Sequence, residues 1–397
     1  MTNPSSPTAL EGVVILDFTQ MMMGPLATQT LADLGADVIK VERPGKGEFN
    51  RTMPMIGKAP NLDSPVFYAF NRNKRSITVD LKHPEGRAAI LKLAERVDVV
   101  VENYRTGVME RLGLGYEDFR KVNPRVIFAS GSGWGAGSEL AKASTPGQNL
   151  LIEAMSGLMM NTGRAGDLPT AAGTPVADFA GSQSLAIGIL GALLARERIG
   201  VGQKVEADLY SSTLNMMAQE NYTVLNNGVT LERSTTGIST TWNDAPYGPH
   251  QTSDGWIAIA MCPLPKLGPL LDDPDLATLD PWKDREAVRQ RVDGLTKTRT
   301  TADLMRLFKE ADVWAAPIRT STEAMAELED AYPPRLYKME HKEAGTIRAI
   351  ASPITLSVTP PRVRYVPPLL GEHTENILTE KLGAAAYERL KASGALG

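Results

Sequence analysis

One carboxylate, Asp178, stands where the stretch Gly173-Thr-Pro-Val-Ala-Asp-Phe-Ala-Gly181 gives way to an apolar run reaching Arg196. Two chemistries suit that position. Asp178 can cap the helix that begins there, accepting from otherwise orphan N–H groups. Alternatively, the helix start can hold it ionised, low in pKa, as a carboxylate nucleophile. Nine residues do not choose between them. A second group bears on the choice: Arg43, Lys82, Arg105 and Arg111 lie at or just past successive predicted strand ends. Each alone reads as solvated surface. Together they can meet the phosphates of a nucleotide-containing ligand.

The elements that must place these residues alternate. Residues 13–17 and 37–42 read as strands flanking a helix over 24–34, the opening of a parallel sheet. Strands are then predicted at 76–81, 98–102 and 125–130, with helices at 87–96 and 116–122. The pattern is an α/β fold with an open, doubly wound, Rossmann-like sheet. Such sheets bind ligands beyond the carboxyl ends of their strands, where this chain carries Gln20-Met-Met-Met-Gly24, Arg43, Lys82 and Asn103-Tyr-Arg105. The first turn lacks G-x-G-x-x-G, which disfavours a nicotinamide dinucleotide.

The apolar segment Ala180–Leu194 reads as a buried helix, with a strand over 202–209 and a helix over 211–226 after it. Residues 228–244 are Thr- and Ser-rich and read as a linker or mobile loop. The expected domains are a large one over 1–227, a smaller α+β one over 228–330, and a segment over 331–397 returning to the large domain. Within it, 350–359 looks strand-like and 375–381 helical. With 397 residues and a net charge of −4, the chain has room for more than one core and no general attraction to nucleic acid. No apolar stretch approaches ~18 uninterrupted residues, so no membrane partner is expected. A polar N-terminus and a single cysteine, Cys262, read as core within a strand, point to a cytoplasmic protein; with four scattered histidines, no metal site is expected.

Several ordered blocks resemble the family III CoA transferases: Leu16-Asp-Phe-Thr19, Met23-Gly-Pro25, Leu34-Gly-Ala-Asp-Val-Ile-Lys-Val-Glu-Arg-Pro-Gly45 and Asn71-Arg-Asn-Lys-Arg-Ser-Ile77. Asp80-Leu-Lys82, Val101-Glu-Asn-Tyr104, Leu112-Gly-Leu-Gly-Tyr116 and Gly371-Glu-His-Thr-Glu-Asn-Ile-Leu378 complete the set. The family includes formyl-CoA transferase, carnitine CoA-transferase and α-methylacyl-CoA racemase. The resemblance implies two chains interlocked as rings in a homodimer, each with a Rossmann-like large domain and a small domain. It places Asp178 on the family nucleophile. Arg43, Leu81, Lys82, Asn103, Tyr104, Arg105 and Arg111 fall on or beside CoA-holding positions, with Met22 and Met23 beside them. Lys74 and Arg75 read as shaping a loop.

The implied reaction moves CoA from an acyl-CoA thioester to a free carboxylic acid through an aspartyl anhydride and an aspartyl-CoA thioester. It needs no cofactor beyond the CoA thioester that is its substrate. The racemases of the family use a histidine where this chain has Gln148, in Gly147-Gln-Asn149; Gln has no titratable group, so an isomerase is the disfavoured alternative. Gln148 and Asn149 can donate hydrogen bonds to a thioester or carboxylate, or simply end a loop. Formyl-CoA transferases carry Gln and Trp where Met22 and Met53 stand here, and a glycine run near Gly237-Ile-Ser-Thr-Thr-Trp242. Met21, Met22, Met23 and Met53 therefore read as a flexible apolar lining, or as core, and Gln20 as a contact for an acceptor carboxylate. A non-catalytic acyl-CoA carrier would have no use for Asp178 at a helix start.

Overall fold

The computed structural model describes residues 7–55, 59, 62–331 and 335–397. Two compact units emerge. The first comprises Met1–Ile152, Pro175–Thr213 and Ala331–Gly397; the second comprises Glu153–Thr174 and Leu214–Asp330. The expected boundary at 227/228 thus lies earlier, and residues 153–174 belong with the second unit.

The first unit is built on β1 (Val14–Asp17), β2 (Asp37–Glu42), β3 (Lys74–Thr78), β4 (Val99–Glu102), β5 (Ile127–Ser132) and β6 (Lys204–Asp208). All pair in parallel, in the order β3-β2-β1-β4-β5-β6. The order runs outward from β1 in one direction and from β4 in the other. The crevice beyond the carboxyl ends of β1 and β4 is where a doubly wound sheet takes its ligand.

Successive side chains point to opposite faces. Leu16, Ile39, Val100 and Phe128 pack under the helices Pro84–Ala94, Tyr116–Val122, Thr374–Leu382 and Ala384–Ala392. Ile15, Val38, Val99, Val101 and Ile127 pack under the first helix, Met23–Asp33, and the long helix, Val176–Ile199. Both Asp178 and the first turn of the sheet are therefore carried by helices on one face.

The long helix runs four residues earlier and five later than its apolar stretch, because polar residues at both ends are partly or wholly buried. Arg196 is buried and donates to Asp98 at 2.8 Å. The helix closes on Gly200 in the left-handed region at φ 79°. By length and composition alone it could cross a membrane. Leu185, Ile189, Ala192 and Leu193 instead face the core, while Phe179, Ile187, Leu194 and Ile199 are exposed.

Other differences have similar causes. β3 begins at Lys74, two residues before its expected start, since Lys74 and Ser76 are buried on polar partners instead of facing water. The strand expected over 350–359 is replaced by an antiparallel hairpin, β10 (Leu336–His341) with β11 (Gly345–Ile350).

The second unit carries an antiparallel sheet, β7 (Gly248–Gln251), β8 (Trp256–Ile259) and β9 (Ala315–Pro317), over a core including Ile257, Val288, Leu304 and Phe308. Cys262 is buried but follows β8 instead of lying in it. The Thr- and Ser-rich loop is fastened. The Ser234 hydroxyl accepts from the N–H groups of Thr236, Gly237 and Ile238 at 3.1–3.2 Å. Glu286 accepts from Thr235 and Thr236, Arg285 donates to the Thr240 carbonyl, and the Trp242 indole donates to Glu220.

Candidate functional site

The turn from β1 into the first helix, residues 18–22, is held by side chains from other elements. Lys40 of β2 donates to the Thr19 carbonyl at 2.8 Å. Asn103, just past β4, takes the Gln20 N–H on Oδ1 and gives Nδ2 to the Gln20 carbonyl, both at 2.8 Å. Asn50 donates to the Met21 carbonyl. Met21 has φ 66°, an uncommon setting for a non-glycine residue. Met22 then stands as the N-cap without a side-chain cap, and Met23 opens the helix.

Asp178 meets that opening. It is the third residue of the long helix, whose N-cap is Pro175, so it is not the cap. The backbone N–H of Met23, the first of the other helix, acts on its carboxylate to favour the charged form. Burial nevertheless outweighs that influence, and the pKa is pushed up to about 6. The expectation of a depressed pKa is therefore corrected. A helix start and one N–H group do not replace the water removed from around the carboxylate, yet Asp178 stays mostly ionised at neutral pH.

Met23 itself is core. A Cβ built on Gly181 would lie 3.1 Å from its Cε, and one on Gly131 would lie 3.1 Å from its sulfur. Only the absence of side chains there lets the two helices and β5 close on the thioether. Met23 thus contributes its N–H and not a flexible lining. Met21 is exposed, and Met22, Met53 and Gln20 are half-buried.

Asn149 is the buried residue that caps the long helix. Its Oδ1 accepts from Ala177 N–H at 2.9 Å, next to Asp178 in the chain. Gln148 is exposed and accepts from Leu150 N–H at 3.0 Å. The pair is brought beside the end of β5 by a glycine contact: a Cβ on Gly147 would lie 2.5 Å from the Gly133 Cα. Asn149→Ala is expected to lower stability by about 1–2 kcal/mol, the cost of a lost cap. Calorimetry checks this, and the turnover of the variant should fall with it, because the cap sits one residue from Asp178.

Arg43, Lys82, Arg105 and Arg111 are all exposed and form no ion pair among the described residues. The cations nearer the sheet are neutralised: Lys40 by Glu48, Arg51 by Glu42 and Asp63, Arg72 by Asp33, Arg75 by Asp37. The four unpaired cations follow β2, β3 and β4; β4 belongs to the pair at the switch point, β2 adjoins that pair, and β3 lies one strand further out. Leu81 and Tyr104 pack partly into the first core beside them. Lys74 and Arg75 are structural, as expected: Lys74 is wholly buried on Asp17, Asn71 and the Pro25 carbonyl.

Sequence reasoning missed Glu102, the buried end of β4. Its carboxylate accepts from Tyr104 N–H at 2.8 Å and from the Ser130 hydroxyl, shaping the turn that presents Tyr104 and Arg105. Burial pushes its pKa up to about 8, against the Tyr104 N–H. A glutamate after three valines carries no hint of that burial. Lys40 and Asn50 were missed for the same reason. The four histidines serve structure: His83 caps a helix, His250 lies between Asp293 and the Pro246 carbonyl, His341 accepts in a turn, and His373 accepts from Ser76 N–H. Among the described residues, no cluster of three or more His, Cys, Asp or Glu is placed to hold a metal.

The model of CoA-transferase family III matches residues 10–374. Formyl-CoA:oxalate CoA-transferase of Bradyrhizobium sp. (strain ORS 278) is 33% identical over 421 residues, covering 98% of this chain and 97% of that protein. Succinyl-CoA:glutarate CoA-transferase of Mus musculus is 33% identical over 410 residues, covering 98% and 90%. A crystal structure of a CAIB/BAIF family protein from Brucella suis superposes with a TM-score of 0.82 at 30% identity, covering 94% of this chain and all of that one.

Proposed function

The chain belongs to CoA-transferase family III, and from that premise we propose that Asp178 is its nucleophile in exchanging CoA between an acyl-CoA thioester and a free carboxylic acid. It is a family III CoA transferase, acting on acyl-CoA and carboxylate substrates. What carries the reading of Asp178 is a half-buried carboxylate in the first turn of the long helix, beside the residue that opens the first helix.

In this mechanism an Asp178 oxygen attacks the donor carbonyl, the C–S bond breaks, and CoA leaves as thiolate from a mixed anhydride. The thiolate attacks the Asp178 carbonyl carbon, releasing the donor acid and leaving an aspartyl-CoA thioester. The acceptor carboxylate attacks that thioester, again freeing thiolate. The thiolate takes the acceptor acyl group and Asp178 is regenerated. Each step trades one activated acyl bond for another, so no further cofactor enters. The Met23 N–H can stabilise both the carboxylate and the oxyanions formed on it. Arg43, Lys82, Arg105 and Arg111 bind the CoA phosphates, and Tyr104 and Leu81 supply apolar contact beside them.

We place the enzyme in the cytoplasm as a homodimer. One buried cysteine suits a reducing compartment. Exposed Phe179, Ile187 and Leu194, which fall on one side of the long helix, form the kind of apolar face a partner chain covers. The racemase alternative finds no support at Gln148, which has no titratable group to take or return an α-proton.

The test is mass-spectrometric: succinyl-CoA or acetyl-CoA is mixed with a panel of acids that includes oxalate, glutarate and monocarboxylates. A new thioester is expected only when an acceptor acid is present. Exchange of the α-proton of an acyl-CoA with deuterated water, without any acid-dependent product, would overturn the reading.

A further inference from the structure

We propose that Asn103 is a positioning residue for Asp178, acting through the backbone of the turn after β1; the proposal rests on the transferase reading of Asp178. The residue type and its place at a strand end read equally well as a direct contact for CoA. The geometry points elsewhere. The Asn103 amide takes both the N–H and the C=O of Gln20, each at 2.8 Å, the complete complement one side-chain amide can give to one residue. A pair of bonds of that kind fixes orientation as well as position.

Gln20 lies three residues before Met23, whose side chain packs against Gly181, one turn along the helix from Asp178, and whose backbone N–H favours the charged Asp178 carboxylate. Between them Met21 holds φ 66°, a setting that persists only where its surroundings over-determine it. Three donors from separate places supply that: Lys40 to the Thr19 carbonyl, Asn103 to the Gln20 carbonyl, and Asn50 to the Met21 carbonyl. Asn103 alone holds both sides of a residue, and it does so across the switch point, from β4 to the end of β1. The direction of the first helical N–H follows from how that turn is held. Asn103 therefore governs the donor that Asp178 uses.

Asn103→Ala and Asn103→Asp test this. The aspartate keeps an acceptor for the Gln20 N–H but loses the donor to its carbonyl. Both variants should lower kcat by about tenfold or more while KM for the acyl-CoA and the Kd of free CoA change by less than about threefold. The acid limb of kcat should move to higher pH, because the lost Met23 N–H no longer favours the carboxylate. Amide exchange over residues 20–26 should quicken by about tenfold or more, while exchange in the helix Arg285–Thr296 of the second unit stays unchanged. A KM raised about tenfold with kcat, acid limb and amide exchange unmoved would overturn the proposal and make Asn103 a CoA contact. If the wild-type protein exchanges CoA with no acid, the transferase reading fails on its own. Amide exchange then still decides the clamp: quickening over residues 20–26 supports it, and unchanged exchange overturns it.

Discussion

Asp178→Asn is expected to abolish CoA exchange and, in the same protein, to raise its melting temperature. The first effect follows from removing the proposed nucleophile. An amide cannot form the anhydride, and a loss of about a thousandfold or more in kcat is expected, read from the acid-dependent thioester product. The second follows from burial. In the folded wild type the carboxyl has its pKa near 6, against an ordinary value of 3.8. Between those two values the folded state holds the proton more tightly than the unfolded state does. Wild-type stability therefore falls as pH rises from about 4 to about 6, and the deficit persists at neutral pH. At about 1.4 kcal/mol per unit the ceiling is roughly 3 kcal/mol, and partial solvent access reduces it to about 1–2 kcal/mol. Calorimetry at pH 7.5 should show Asp178→Asn melting a few degrees higher, and at pH 4 the difference should vanish. The same ionisation sets the rate. kcat/KM should fall tenfold per unit below about pH 6, since only the carboxylate attacks. A variant that is inactive but no more stable would detach the burial of Asp178 from its chemistry.

Lys74→Met is the substitution expected to cost most in stability. The Lys74 ammonium is wholly buried, 3.0 Å from Asp17, 2.9 Å from the Asn71 side-chain Oδ1 and 3.0 Å from the Pro25 backbone carbonyl. Asp17, equally buried, accepts from Thr19 N–H and from the Thr19 and Thr28 hydroxyls. Burial pulls the Lys74 pKa down to about 8 in spite of Asp17. Burial would raise Asp17, but Lys74, Lys40 and Thr19 together outweigh it and hold that carboxyl at about 2. The asymmetry is physical: one carboxylate faces two ammonium groups. Removing one partner of such a pair costs about 3–5 kcal/mol, because the remaining charge is left buried. A melting temperature lower by roughly 10 °C is expected. Adding Asp17→Asn to Lys74→Met should restore part of the loss. If the double variant is as unstable as the sum of the singles, the two charges are not coupled. The depressed Asp17 pKa also gives stability present above about pH 4 and lost as pH falls toward about 2.

Much of this molecule was legible in the chain. Alternating apolar runs and helical stretches in the first 135 residues predict the parallel sheet, because strands buried on both faces must be apolar and each crossover needs a helix. The strand ends drew attention to the cations, and the family resemblance implied roles for Asp178 and the Gly147-Gln-Asn149 segment. The registers that shifted did so at buried polar residues. Lys74, read from sequence as shaping a loop, lies buried within β3 on Asp17, and Arg196, at the end of the apolar run, is buried on Asp98. Sequence could propose Asp178 either as a cap or as a nucleophile, and local spacing could not decide. Only the tertiary structure shows that Asn149 does the capping, that Asp178 faces the N–H of a different helix, and that burial lifts its pKa instead of lowering it. Periodicity reports which residues avoid water; it carries no information about which buried charge meets which donor, because that pairing is made between strands and helices brought together only by folding.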